Sequence, residues 1–315
     1  MTGRSMFILS AGSYSAEVSG EPPPLKALAR EATGGSARRT DRFVQLALIG
    51  AGRCVNGRSL PPATATYFTS GRGDLEVTVD LLVQLCAKGV PPAPFDFINT
   101  VGNSACFHVA RSFGLQGRSV FVTSRHAPLE SGLRLAAVDM AHDDVRTALV
   151  GSADMCTWPL SAHRARIGVG PGSPVGEGSH WFLLAAEPGP DAYLGEVRAI
   201  RSFPDDAALV RHVRRLEIDP GRAALAAGSY LGLDRLESFR RAIGIERAFD
   251  YQPRRPWYDT RTGHGLHAFL MAPPARTLVH VDGDPSGRSS LIVLDATRRG
   301  GPDSKQPLHD PRTDR

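Results

Sequence analysis

The sequence predicts an α/β fold in which mixed or parallel strands are covered by helices. Short alternating or wholly apolar segments of strand length recur between longer segments with helical periodicity. The second half of the chain repeats the rhythm of the first without close sequence repetition. Its 315 residues, 42% hydrophobic and 22% charged, supply a core for one large domain or two small ones without disulfides.

In chain order, residues 6–11 read as a short strand, and Pro22 to Pro24 break the chain. "RRTDRFVQLALIGAGRCV" (38–55) has helical periodicity, with Thr40 or Asp41 able to cap it. "ATATYFTS" (63–70) alternates as a strand does, and "DLEVTVDLLVQLCAKG" (74–89) reads as one helix closed by Gly89. The Pro-rich 90–99 is a loop, and 104–115 a short helix. Strand 119–123 leads into helix 128–142, and 145–155 reads as a buried strand running into a Gly/Ser turn. Segments 178–187 and 193–203 read as an antiparallel pair. The second half continues with helix 205–216, acidic at its N-terminal end, then strand 222–229 and helix 234–244 ended by Gly244. A helix over 263–272 and strands 277–283 and 289–295 close it. The final segment is polar, rich in Pro and Gly, and expected to be disordered.

Net charge is +5 with a sequence pI of about 9.3, yet the arginines are scattered and form no basic run. Nucleic-acid binding is therefore not expected, while an acidic partner or substrate fits. The spacing of Cys54, Cys86, Cys106 and Cys156 matches no zinc or CxxC pattern, so reduced, mostly buried thiols are expected. The N-terminal segment lacks an extended apolar run and a clear cleavage site, and no stretch reaches the roughly 18 apolar residues of a membrane span. A cytoplasmic protein is the expectation.

The segment that points to chemistry is "SVFVTSRHAPLESGLRLAA" (119–137), a strand that breaks at Thr123-Ser124-Arg125-His126 and resumes as an amphipathic helix behind Pro128. A strand turning sharply into a helix is where many enzymes display a nucleophile; here the turn residue is His126. Other candidates have simpler readings. His108 and Cys106 sit at i and i+2 on one helix and do not face each other. "GEGS" (176–179) reads as a tight turn, with no P-loop lysine behind it. The basic residues at 211–215 read as a solvated helix face.

Around this turn the order of segments resembles the β-ketoacyl synthases of the thiolase superfamily. "RRTDRFVQLALIGA" resembles the family's early helix after an Arg-containing loop, and "NTVGNSACFHVARSFGLQGRS" its segment ending in Phe-Gly-Leu-x-Gly. "ALVGSAD" (148–154) is similar to its Gly-Gly-Ala-Glu/Asp turn, and "PVGEGSHWFLLAAE" (174–187) to Pro-x-Gly-Glu-Gly before a hydrophobic strand. "TGHGLHAFL" (262–270) and "SGRSSLIVLD" (286–295) resemble the Thr-Gly-His and closing-strand segments. The resemblance spans residues 38 to 295. It implies a thiolase-like layered α-β-α-β-α fold of two similar halves, shortened relative to typical ketosynthases. The expected division is 1–187 (the elbow half), 188–295 (a shortened second half) and a disordered tail at 296–315.

The catalytic pattern of the family departs here. Its nucleophilic cysteine aligns with His126, and none of the four cysteines falls at that position. The positive end of a helix stabilises a thiolate but opposes an imidazolium, and an acyl-imidazole hydrolyses far more readily than a thioester. Cysteine-type condensation is therefore not expected. The first catalytic histidine aligns with Ala227 in "AAGSYLGLDRLE", the second is retained as His264, and the family's lysine is Asp259. The glycine-flanked phenylalanine gate is absent from "VDGDPSG" (281–287).

The resemblance thus implies a chain-length-factor-type partner of a Cys-containing ketosynthase in fatty acid, polyketide or aryl-polyene biosynthesis, with an acyl carrier protein as further partner and pairing along strand 119–123. The alternatives are a divergent acyl-thioester enzyme using His126 and His264 as an acid/base pair, and a homodimeric acyl-binding scaffold. No permanently bound cofactor or metal is expected. An acyl group would arrive on the phosphopantetheine of a carrier protein or as a coenzyme A thioester.

Overall fold

The computed structural model describes residues 5–35, 40–92, 97, 100–188, 193–251 and 256–297. The elements of the first half are β1 (Met6–Glu17), α1 (Lys26–Thr33), α2 (Arg42–Val55), β2 (Ala65–Ser70), α3 (Leu75–Leu82), α4 (Asn103–Ser112), β3 (Ser119–Thr123), α5 (Pro128–Ala141), β4 (Thr147–Asp154), α6 (Leu160–Ile167) and β5 (Gly176–Ala185). The second half holds β6 (Gly195–Phe203), α7 (Asp206–Arg215), β7 (Ala223–Ala227), α8 (Leu233–Ile243), α9 (Thr262–Met271), β8 (Thr277–Gly283) and β9 (Ser289–Ala296).

Local chemistry accounts for many of these boundaries. Asp41 caps α2 by accepting from the Val44 N–H at 2.8 Å, and Asp205 caps α7 by accepting from Ala208 N–H at 2.7 Å. Gly244 ends α8 in the left-handed region at φ 73°. The expected helix over 74–89 is instead α3 followed by a π-helical turn at Val83–Ala87, with Gly89 at φ 62° beyond it. Two short helices escaped the sequence reading. Of these, α1 lies just behind the prolines and buries Ala29 against α2, while α6 buries only His163 and Ile167, too few for a periodic signal.

The strands form one nine-stranded mixed sheet in the order β3-β2-β4-β5-β1-β6-β9-β8-β7. The expected pairing of the segments at 178–187 and 193–203 does not occur: β5 pairs with β1 and β4, and β6 with β1 and β9. The N-terminal strand, twelve residues long, inserts between them and runs antiparallel to β5 from Phe7↔Ala185 to Glu17↔Gly176. Nor is "GEGS" a turn; it begins β5. Its glycines permit close approach, since a Cβ on Gly176 would lie 2.2 Å from the Ala16 carbonyl oxygen and one on Gly178 would strike the Tyr258 ring. The Gly/Ser turn expected within 145–155 is likewise strand, since β4 runs through Gly151 and Ser152 to Asp154.

The two halves repeat one topology. In the first, β2 and β4 are parallel, β4 and β5 antiparallel, and β5 and β1 antiparallel. In the second, β7 and β8, β8 and β9, and β9 and β6 follow the same pattern. Only the first half adds the edge strand β3. Three cores define the layers. One packs α1, α2 and α4 on the outer face of the first half, another packs α7 and α8 on the outer face of the second. Between them, Leu129, Leu133 and Met140 of α5 and Leu266 and Phe269 of α9 share a central core with strands of both halves. The result is the layered α-β-α-β-α arrangement. Ala296 still belongs to β9, and the Thr297 hydroxyl donates to the Tyr193 carbonyl; residues 298–315 of the expected tail lie outside the described residues, as do residues 93–96, 98 and 99 of the Pro-rich loop. Among the described residues no helix is long and apolar enough to cross a membrane.

Candidate functional site

The C-terminal ends of β2, β3, β7 and β8 meet around the turn at residues 124–127. Ser124 leaves β3 with its N–H donated to the Ser70 carbonyl at 2.9 Å, and its hydroxyl donates to the His126 carbonyl at 2.6 Å. Ala127 takes the left-handed conformation (φ 51°, ψ 51°) as the N-cap of α5, and Pro128 starts the helix. A non-glycine residue there is strained by about 1–2 kcal/mol, so the surrounding hydrogen bonds hold a sharp elbow. His126 stands at its crest, half-buried, with Nδ1 out of solvent and without a hydrogen-bond partner among the described residues.

The ring of Tyr230 packs edge-on against His126, with centroids 4.7 Å apart. Tyr230 belongs to the loop after β7, three residues beyond Ala227, which ends that strand opposite Val281. Its hydroxyl donates to Asp259, whose other oxygen receives Arg72 Nε at 3.0 Å. Arg72 also donates to the Arg166 carbonyl at 2.7 Å. Beside this group Asp154 accepts from the Ser70 hydroxyl at 2.7 Å and the Gly71 N–H at 2.9 Å. Asp259 is 4% exposed and Asp154 5%. Burial, followed by the Asp259 carboxylate, pushes Asp154 up to about 7. Burial and the same carboxylate raise Tyr230, which keeps its hydroxyl a donor.

His264 lies in the first turn of α9 and meets a different network. Its ring approaches His180 at 5.8 Å. His180 is fully buried on β5, with Nδ1 2.9 Å from the Ser13 hydroxyl and Nε2 2.9 Å from the Tyr258 hydroxyl. Burial first, and then His264, hold it well below the ordinary histidine range. The ring contacts of His126 and His264 thus lead to Tyr230 and His180 respectively. On α5, one turn beyond His126, Glu130 is buried in the central layer; burial, then Asp282, pushes it up to about 8. The cysteines lie elsewhere. Cys54 packs under β1 against Ser10, Cys106 donates to the Val120 carbonyl at 3.6 Å, Cys156 belongs to a small cluster with Val18, Ile167 and Val175, and Cys86 is exposed.

No protein-family model matches the sequence, and no curated protein matches it. Solved structures do. A structure described as the ishigamide ketosynthase/chain length factor superposes with a TM-score of 0.71 at 19% identity, over 93% of this chain and 99% of that one. A β-ketoacyl synthase from Burkholderia phymatum STM815 gives 0.68 at 12% identity, over 95% and 100%. A type II polyketide ketosynthase, bound to a hexaketide and in complex with its acyl-carrier protein, gives 0.66 at 11%, over 94% and 100%.

The chain has the ketosynthase fold.

Within that fold the turn at His126 is the elbow where the sequence resemblance aligns the family's nucleophile, and Ala227, the last residue of β7, is where it aligns the first histidine. Sequence reasoning marked Asp259 as a replaced lysine but missed what it binds. Tyr230 was missed altogether. The available signal was its bulk, in the loop that directly follows Ala227. Two cavities flank the elbow. One of about 550 Å³ is walled by Arg72, His126, Tyr230 and Trp257. The other, of about 290 Å³, opens between the elbow and the loop after β8.

Proposed function

We propose that this chain is a ketosynthase-like partner subunit of the chain-length-factor type, acting beside an active, cysteine-bearing ketosynthase and its acyl carrier protein. The observation that carries this reading is an elbow built as for a nucleophile but topped by an imidazole under Tyr230, with Ala227 in place of the first histidine. Nothing at that turn can form a thioester. The likeness to the ishigamide ketosynthase/chain length factor structure supports the same reading.

Pairing would use β3. Among the described residues β3 bonds only to β2, which leaves its outer edge open. The helix α4, which packs against β3, carries the exposed apolar side chain of Phe107. An open edge with an exposed apolar side chain on the adjoining helix suits a second chain of the same fold. The test is co-expression with a Cys-bearing ketosynthase and carrier protein. Co-purification is expected, with condensation retained on His126→Ala and association lost on Phe107→Glu. Turnover of acyl thioesters by the isolated chain, lost on His126→Ala, would replace this reading with the acid/base enzyme.

A further inference from the structure

The smaller cavity beside the elbow is polar where an acyl site would be apolar. It is lined by Arg125, Arg134 and Arg288, and among the described residues none of the three has a carboxylate ion-pair partner. Arg134 is held instead by serines, donating to Ser202 at 2.6 Å and Ser131 at 3.4 Å, and its buried Nε has no partner among the described residues. Ser290, 7% exposed, also lines the cavity, and its buried Oγ has no partner there either. The cavity reaches the N-terminal end of α5, a fourteen-residue helix whose cap, Ala127, has no side-chain acceptor. Such an end favours an anion. One carboxylate, Asp284, shares the wall, but its Oδ1 already accepts from the Ser286 N–H, the Ser286 hydroxyl and the Arg288 N–H at 2.8, 2.6 and 3.1 Å. Two arginines, an orphaned buried hydroxyl and a helix N-terminus therefore line a space of about 290 Å³, while Arg125 at its edge also reaches the Arg166 carbonyl at 3.5 Å; the volume is near the lower limit for small-ligand sites.

We infer that this cavity binds a small oxyanion, an organic carboxylate or a phosphate, held by Arg134, Arg288 and the N-terminal end of α5. The charge-assisted bonds that guanidinium groups make to such oxygens supply both affinity and orientation. The assignment stands apart from the partner-subunit reading, because none of the residues lining the cavity belongs to β3.

Isothermal titration calorimetry of the full chain with inorganic phosphate, and separately with succinate, at fixed ionic strength tests it. Saturable binding of at least one probe is expected. Arg134→Gln and Arg288→Gln should each weaken it roughly tenfold or more, and Ser290→Ala should weaken it less. Arg241→Gln, on the exposed face of α8, should leave it unchanged. The tighter probe identifies the ligand as phosphate or carboxylate. Absence of saturable binding by both probes, or affinities in Arg134→Gln and Arg288→Gln equal to that of the unaltered chain, overturns the assignment. Arg288→Gln lies in an exposed loop, so its fold is expected to be intact by near-ultraviolet circular dichroism. Its co-purification with a ketosynthase reports on the partner reading separately.

Discussion

Tyr230 braces His126: its ring meets the imidazole edge-on at 4.7 Å while its hydroxyl is donated to the buried Asp259. A loop of the second half thereby fixes the elbow of the first. Asp259, aligned with the family's lysine, supplies the acceptor and is itself anchored by Arg72. Tyr230 and Asp259 thus form one interaction beside the elbow.

Removing only the hydroxyl separates bracing from packing. Tyr230→Phe leaves a buried Asp259 oxygen without its donor and should cost about 1–2 kcal/mol in urea unfolding. Tyr230→Ala also removes the ring from His126 and Trp257 and should cost about 3–5 kcal/mol. A Tyr230→Phe chain as stable as the parent would show that the bond to Asp259 contributes nothing.

The Glu of the Pro-x-Gly-Glu-Gly segment has a structural role. Glu177 has no exposed side-chain surface and receives Arg42 through both oxygens, one from Nε at 2.9 Å. Arg42→Ala strands that carboxylate and should destabilise the chain by about 3 kcal/mol or more. Arg42→Lys should recover only part of this, because one ammonium cannot reproduce the fork. Chemical denaturation midpoints with unchanged slopes check both.

Stability should fall as pH rises. Glu130 moves from an ordinary 4.5 to about 8, by burial first and the Asp282 carboxylate second. Between those values the folded chain keeps a proton that the unfolded chain has released, so the contribution is complete below the unfolded value and is lost as pH rises through the folded one. Asp154, raised to about 7, and Asp282, raised to about 6, act in the same direction. Glu130→Gln should show a shallower decline in Tm across this window and a higher Tm than the parent at its alkaline end. Parallel Tm profiles for the two chains would contradict this.

Thiol labelling should find a single reactive cysteine. Burial pushes Cys54, Cys106 and Cys156 up to about 12, while Cys86 is exposed. Iodoacetamide near neutral pH should modify the native chain once, at Cys86, and Cys86→Ser should abolish labelling. Rapid modification of any buried thiol, read by peptide mass spectrometry, would point to a nucleophile that the structure does not place at the elbow.

Features of short range were legible in the sequence. Strand β3 and strand β8 have the bounds read from the sequence, Asp41 caps α2, and Gly244 ends α8, because each depends on neighbours along the chain. The motif order from 38 to 295 likewise sufficed for the layered fold. Tertiary structure alone decided that β1 separates β5 from β6, that "GEGS" extends a strand beneath Tyr258, and that Tyr230 reaches His126 across more than a hundred residues. The reason is physical: helix periods and caps are set by adjacent residues, whereas strand neighbours, buried hydrogen-bond partners and the polar lining of a cavity depend on where distant segments come to lie.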